Sequence, residues 1–137
     1  MRAFDTFLAA YAPQLRSVAR FMLGLLVLQH GTIKHLNIPV NERMNAIDLS
    51  SLPGIAGVFE LVCGTLLVVG LFSRVSAFLL SGLTACAYFL VYAGNGFFPI
   101  SNGGELAAVY CFAFLWLAAE GPGPWSLDAL VRRPAQI

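Results

Sequence analysis

YAGNGFFPISNGGELAAVYCFAFLWLAAE, residues 92–120, decides how the rest of the chain is read. Its first half is an uncharged loop of glycines, asparagines and an aromatic pair, Phe97 and Phe98. Its second half is an apolar run of helical length that opens on one carboxylate, Glu105. An acid at the mouth of so apolar a helix is costly unless a partner or a polar cavity receives it. The sixteen residues 105–120, at 1.5 Å each, cover about 24 Å of a bilayer core roughly 30 Å thick. Either that helix sits in a thinned region, or the loop through Phe97, Phe98 and Pro99 dips below the headgroups. The second arrangement requires protein to cover the loop backbone, because lipid cannot satisfy its N–H and C=O groups.

Composition agrees with a membrane setting. Of 137 residues, 58% are hydrophobic and 11% charged, and mean hydropathy is +0.78, against about 45–50% apolar and 25% charged in soluble domains. The length fits a single domain, residues 1–137. A net charge of +1 leaves no basic face for nucleic acid. Cys63, Cys86 and Cys111 each lie inside an apolar run, with no CxxC and no Cys/His pair at metal spacing, so no metal site is expected and the thiols read as small buried hydrophobes. The basic N-terminus is interrupted by Asp5, and no small-residue cleavage site follows the first apolar run, so that segment is expected to stay attached.

Phe4, Phe7, Leu8, Tyr11 and Leu15 recur at helical spacing and predict a short amphipathic helix lying in the membrane interface, broken or kinked at Pro13. A first span is expected over residues 17–36, with Arg20, Gly24, Val27, Gly31 and Lys34 on the face that looks into a bundle. A polar loop bounded by Pro39 and Pro53 follows. The second span, 55–72, carries Gly57, Glu60 and Gly64 on one face; the third, 75–93, carries Ala77, Ser81, Thr84, Tyr88 and Tyr92. The fourth, 105–120, ends at Gly-Pro-Gly-Pro; beyond it Trp125 reads as an interfacial anchor and Ser126 as the cap of a short tail helix ending at Arg132 and Arg133. The fold class is therefore all-α, a four-helix transmembrane bundle with short interfacial helices at both termini.

Arg2, Arg16, Arg74, Arg132 and Arg133 gather on one side of such a bundle and only Lys34 and Arg43 on the other, which puts both termini in the cytoplasm by the positive-inside rule. His30 and Lys34 then end the first helix, Glu60 lies about 8 Å into the second, Tyr88 and Tyr92 end the third, and Glu105 opens the fourth. All fall in the outer leaflet, where two acids meet two groups that can carry positive charge. Lys34 is expected to contact Glu60 or Glu105, with His30 within hydrogen-bonding reach. Such a cluster either fixes helix register or works chemically. Arg20 stands alone in the inner half, and Glu120 is its expected partner in a structural ion pair.

These residues also resemble a known family. Arg20 followed by a glycine-bearing helix into His30-Gly31 and Lys34, Glu60 with Gly64 and Gly70-Leu71 ahead of Arg74, GFFP and NGGE at 96–99 and 102–105, and GPGPWSLD at 121–128 together look like the DoxX family of small four-helix membrane proteins. The resemblance implies an inner-membrane protein, in a family named for a thiosulfate:quinone oxidoreductase and linked to membrane redox complexes. Its recurring polar positions would be Arg20, His30, Lys34, Glu60, Asn102 and Glu105.

Two functions from different classes follow. One is a redox-associated subunit in the lipid bilayer that binds a quinone or similar small amphiphile in an outer-leaflet pocket of His30, Lys34, Glu60, Tyr88, Tyr92, Asn102 and Glu105, walled by Phe97 and Phe98. It carries no protein-borne redox centre, so electrons would come from a redox partner protein or a bound cofactor. The other is a non-catalytic membrane scaffold or assembly factor whose polar cluster locks the bundle. A transporter is disfavoured because no repeat with two broken helices is present.

Overall fold

The computed structural model describes residues 2–40 and 47–131. Four long helices and two short ones form an all-helical molecule: α1 (Arg2–Leu36), α2 (Leu52–Val69), α3 (Ser73–Ala87), α4 (Pro99–Asn102), α5 (Glu105–Glu120) and α6 (Leu127–Val131). There is no strand among the described residues. Among the described residues two helices are long and apolar enough to cross a membrane, α2 and the run Ser73–Asn95. Arg43, Arg132 and Arg133, on which part of the charge asymmetry rests, lie outside the described residues.

α1 does not divide at Pro13. The expected interfacial helix and first span are one helix of 35 residues. Proline removes one backbone bond and crowds the carbonyl four residues back, which bends a helix without ending it when the turns on either side hold. Here Pro13 is exposed and the Ser17 hydroxyl bonds its carbonyl at 3.3 Å. The buried residues of α1 are Ser17, Arg20, Gly24, Val27 and Gly31, the face the spacing predicts, with Lys34 half-buried beyond them.

α2 begins three residues earlier than expected, because Pro53 sits inside its first turn, where a missing N–H costs nothing, and Ser51 caps it by accepting from the Gly54 N–H at 3.2 Å. It ends at Gly70, whose φ of 75° lies in the left-handed region that favours glycine. α1 and α2 lie backbone to backbone. A Cβ on Gly31 would stand 2.8 Å from the Gly57 carbonyl oxygen, and one on Gly24 would stand 2.9 Å from the Val68 nitrogen.

α3 continues through a π-helical turn, Tyr88–Tyr92, and a 3-10 turn, Ala93–Asn95. α5 spans the sixteen residues expected. The helices pack as two antiparallel pairs, α1 with α2 and α3 with α5, joined mainly through α2 and α3. Val27, Cys63, Leu67, Ala77, Leu80, Tyr110, Phe114 and Leu117 form the buried apolar centre between the pairs. Polar side chains collect at the two ends of the bundle, named below the Lys34 end and the Arg20 end.

Candidate functional site

At the Lys34 end the close approach of α1 and α2 brings opposite charges together. Lys34 Nζ donates to both carboxylate oxygens of Glu60, at 2.8 and 2.7 Å, and each side chain is 13% exposed. Burying either side chain alone this far out of water is costly, and pairing offsets part of that cost for both. On the next residue, the His35 ring nitrogen Nε2 lies 2.9 Å from the Gly54 carbonyl oxygen.

The other residues expected in this cluster divide. His30 is half-buried and meets Tyr110 edge-on, ring centroids 6.2 Å apart; it makes no hydrogen bond to Lys34 or Glu60. Asn102, 7% exposed, organises the loop before α5: its amide donates to the Gly96 carbonyl at 2.9 Å and to the Tyr88 hydroxyl at 3.3 Å, and its oxygen accepts from the Gly104 N–H at 2.7 Å. Tyr88 and Tyr92 lie against Gly104, where a Cβ would come within 2.8 Å of both side chains. Glu105 is exposed and has no ion pair among the described residues. It thus stands apart from the Lys34–Glu60 pair, and the field at the start of α5 favours its negative charge locally. Phe97 and Phe98 stack edge to face on each other and are 86% and 65% exposed, so they do not wall a pocket. Among the described residues no cluster of His, Cys, Asp and Glu is placed to hold a metal ion.

The Arg20 end corrects the expected Arg20–Glu120 pair. Glu120 pairs with Arg16, one turn earlier on α1, at 2.9 Å, with Arg16 half-buried and Glu120 exposed. Arg20 is 3% exposed and spends its guanidinium on backbone carbonyls: Nε on Pro122 at 3.1 Å, Nη1 on Leu67 and on Val68 at 3.2 Å, and Nη2 on Trp125 at 2.6 Å. Leu67 and Val68 are in the last turn of α2, whose carbonyls have no intrahelical partner and whose dipole favours a cation.

Sequence reasoning passed over the acid that completes this end. Asp128, 9% exposed, accepts from the Phe72 and Ser73 N–H groups at 2.9 and 2.8 Å, capping the start of α3. Its own N–H donates to the Gly70 carbonyl at 2.8 Å. The cap supports Phe72 in the left-handed region, φ 49°, which bulky residues seldom adopt. Arg74 caps the end of α5 through the carbonyls of Ala118, Ala119 and Glu120. Ser126 caps α6 as expected, accepting from the Ala129 N–H at 3.2 Å. The available signal was the unbroken GPGPWSLD run, too rigid and too specific for a free tail. Two open clefts flank this segment. One of about 370 Å³ lies between Pro13, Arg16 and Gly123, and one of about 230 Å³ between Phe72, Arg74 and Val131.

A protein of Haemophilus influenzae described as uncharacterized is 39% identical over 125 residues, covering 88% of this chain and 93% of its own length. An uncharacterized membrane protein of Mycobacterium tuberculosis is 28% identical over 131 residues, covering 85% of this chain and 80% of its own. No solved structure matches. The family model described as DoxX matches residues 15–93, more than half of the sequence, and the chain belongs to the DoxX family.

Proposed function

We propose that this DoxX-family membrane protein crosses the cytoplasmic membrane four times, through α1, α2, α3 with its extension, and α5, and serves there as a non-catalytic scaffold or accessory subunit. The observation that carries this reading is that the buried charges are consumed within the molecule. Lys34 is held by Glu60, Arg20 by four carbonyls and Asp128 by two amides. The two clefts described lie at the Arg20 end, away from the Lys34–Glu60 pair. Meanwhile Phe78, Phe89, Leu90, Val91 and Phe112 are each at least 60% exposed, apolar surface suited to lipid or to a partner's helices. Arg2, Arg16 and Arg74 lie toward the Arg20 end, which supports cytoplasmic termini.

A quinone or similar amphiphile in the outer leaflet is the second reading. His30 favours it: a half-buried imidazole with no hydrogen bond among the described residues is free to donate to a ligand carbonyl. The fit is incomplete, since Lys34 is spent on Glu60 and the two phenylalanines face outward. Redox chemistry would have to come from the ligand and a partner.

Purification in mild detergent separates the two. A polypeptide retained in fixed stoichiometry, with no quinone in the extract, supports the scaffold. A quinone retained by the parent protein and lost from His30→Phe refutes it in favour of the second reading. Reporter fusions after Val131 test the topology, and a reporter active only outside the cytoplasm overturns the orientation.

A further inference from the structure

The two helices of the second pair are level at one end and finish at different heights at the other. At the Arg20 end Arg74, the second residue of α3, donates to the carbonyls of Ala118, Ala119 and Glu120, so the start of α3 lies beside the end of α5. From there the continuous run Ser73–Asn95 has 23 residues and α5 has 16. At the helical rise these are about 34 and 24 Å long, so α5 begins about 10 Å short of Asn95. The packing agrees: a Cβ on Gly104 would come 2.7 Å from the Tyr88 ring and 2.8 Å from the Tyr92 Cβ. Residues 96–104 fill the step between the two heights. No charged side chain occurs from Val75 to Gly104, and Phe97, Phe98 and Ile100 are 86%, 65% and 79% exposed.

We propose that residues 96–104 are an interfacial wedge, with Phe97, Phe98 and Ile100 inserted among the acyl chains of the leaflet at the Lys34 end. The proposal rests on the reading that Ser73–Asn95 and α5 cross the membrane. A helix of about 24 Å falls short of a hydrocarbon core roughly 30 Å thick, so either the chain leading into it lies partly below the headgroups or the membrane thins. Lipid offers no partner to a backbone N–H or C=O, and this loop brings several of its own. The buried Asn102 amide donates to the Gly96 carbonyl and accepts from the Gly104 N–H. The Phe98 carbonyl receives the Ser101 and Asn102 N–H groups at 2.9 and 3.0 Å, and the Gly104 carbonyl receives the Ala108 N–H at 3.0 Å. Pro99 has no N–H to satisfy. In water the solvent would serve these groups, and three exposed apolar side chains would gain nothing there. Lipid is the occupant that continuity selects. Phe89, Leu90 and Val91 before the loop, and Leu106 and Val109 after it, are each more than half exposed, so the wedge extends the apolar surface of the two helices it joins. Glu105, exposed at the first position of α5, is carried by a Cα–Cβ bond that tilts toward the helix N-terminus, which directs its carboxylate back to the headgroups.

The test places one nitroxide at a time in full-length protein in lipid nanodiscs, with Cys63, Cys86 and Cys111 replaced by Ser. Depth is read from collisions with oxygen, which concentrates in acyl chains, against collisions with a polar nickel chelate, which stays in water. Labels on Phe97→Cys, Phe98→Cys and Ile100→Cys are expected about 5–10 Å inside the headgroup boundary, the depth of interfacial apolar side chains. A label on Phe112→Cys, midway along α5, controls for the span and is expected deeper. Loop labels at or above the boundary, with the Phe112 label deep, overturn the wedge in favour of a thinned membrane and leave the spanning reading standing. A Phe112 label that collides mainly with the chelate overturns the span, and the wedge with it. Loop labels that collide rarely with both reagents also overturn the proposal, because a protein surface then covers the loop. Asn102→Ala should move the Ile100 label toward water, since the Gly96 carbonyl and the Gly104 N–H lose their partner; an unchanged depth refutes the part given to Asn102.

Discussion

Replacing Arg20 by Lys keeps the charge and changes only the shape of the donor, so it measures what the fork of the guanidinium contributes. Three nitrogens of Arg20 serve four carbonyls on two elements, the end of α2 and the segment after α5. A single ammonium can reach one of these elements and leaves about two of the carbonyls without a donor. Each buried acceptor left unsatisfied costs about 1–3 kcal/mol, and bonds to charged donors lie at the upper part of the range. Some relaxation toward the 370 Å³ cleft is available, so the expected loss is about 2–4 kcal/mol, with Arg20→Leu losing more because all four bonds go. The assay is reversible unfolding in mixed micelles of a mild detergent and dodecyl sulfate, followed by far-ultraviolet dichroism and by the fluorescence of Trp116 and Trp125. The carbonyl-capping account fails if Arg20→Lys is within about 0.5 kcal/mol of the parent, the range of an ordinary surface substitution.

Glu60→Gln should destabilise by about 1–3 kcal/mol by leaving the Lys34 ammonium without a counter-charge, and the swapped pair Lys34→Glu with Glu60→Lys should regain part of it; a swap no better than the single change refutes pairing as the cause. Gly31→Ala sets a methyl 2.8 Å from the Gly57 oxygen and should lose about 1–3 kcal/mol, whereas Gly82→Ala, with nothing within 4 Å, should be neutral or gain a few tenths to about 1 kcal/mol; both are read from the same unfolding curves. Asp48, in the loop before α2, is held below the usual carboxylate range by the Ser50 N–H first and the Ser50 hydroxyl second. Its folded pKa is depressed, so the turn it closes is favoured above the unfolded pKa and loses that support as pH falls through the folded one. Protection of the Ser50 amide, its exchange taken relative to the intrinsic rate at each pH, should therefore fall in acid, and Asp48→Asn should remove that dependence.

The inward face of α1 was legible because a helix that must bury one side repeats small and apolar residues at fixed spacing, and Ser17 through Gly31 keep that period without a gap. That Lys34 would meet Glu60 or Glu105 was legible for a different reason: two helices joined by a loop run antiparallel, so distance from the loop converts into depth; the structure selects Glu60. What the sequence hid were interactions with the main chain. The carbonyls that hold Arg20 belong to Leu67, Val68, Pro122 and Trp125, whose side chains say nothing about it. Glu120 has the right depth for Arg20, but on the helical wheel it faces Arg16. The π-helical turn at Tyr88 hid likewise, since an inserted residue shifts the faces beyond it while leaving composition unchanged.

The choice between arginine and lysine carries the part of the site that spacing could not. Arg16, Arg20 and Arg74 each donate to at least one backbone carbonyl at the Arg20 end, and the chain's single lysine bonds one carboxylate at the other. A planar fork with five donors suits several acceptors spread over two elements, and a compact ammonium suits one anion. A helix end needs the first and a lone acid inside a bundle accepts the second. Lys34→Arg should therefore keep the pair with Glu60 only if Gly31 and Gly57 give the larger head room, and the helices are already so close that a Cβ on Gly31 would stand 2.8 Å from the Gly57 oxygen, so α1 and α2 must move apart. Loss of stability in Lys34→Arg, with Arg20→Lys also destabilised, is the joint outcome expected when the two ends demand different geometries of the same charge; equal tolerance at both sites would show that charge alone had been selected.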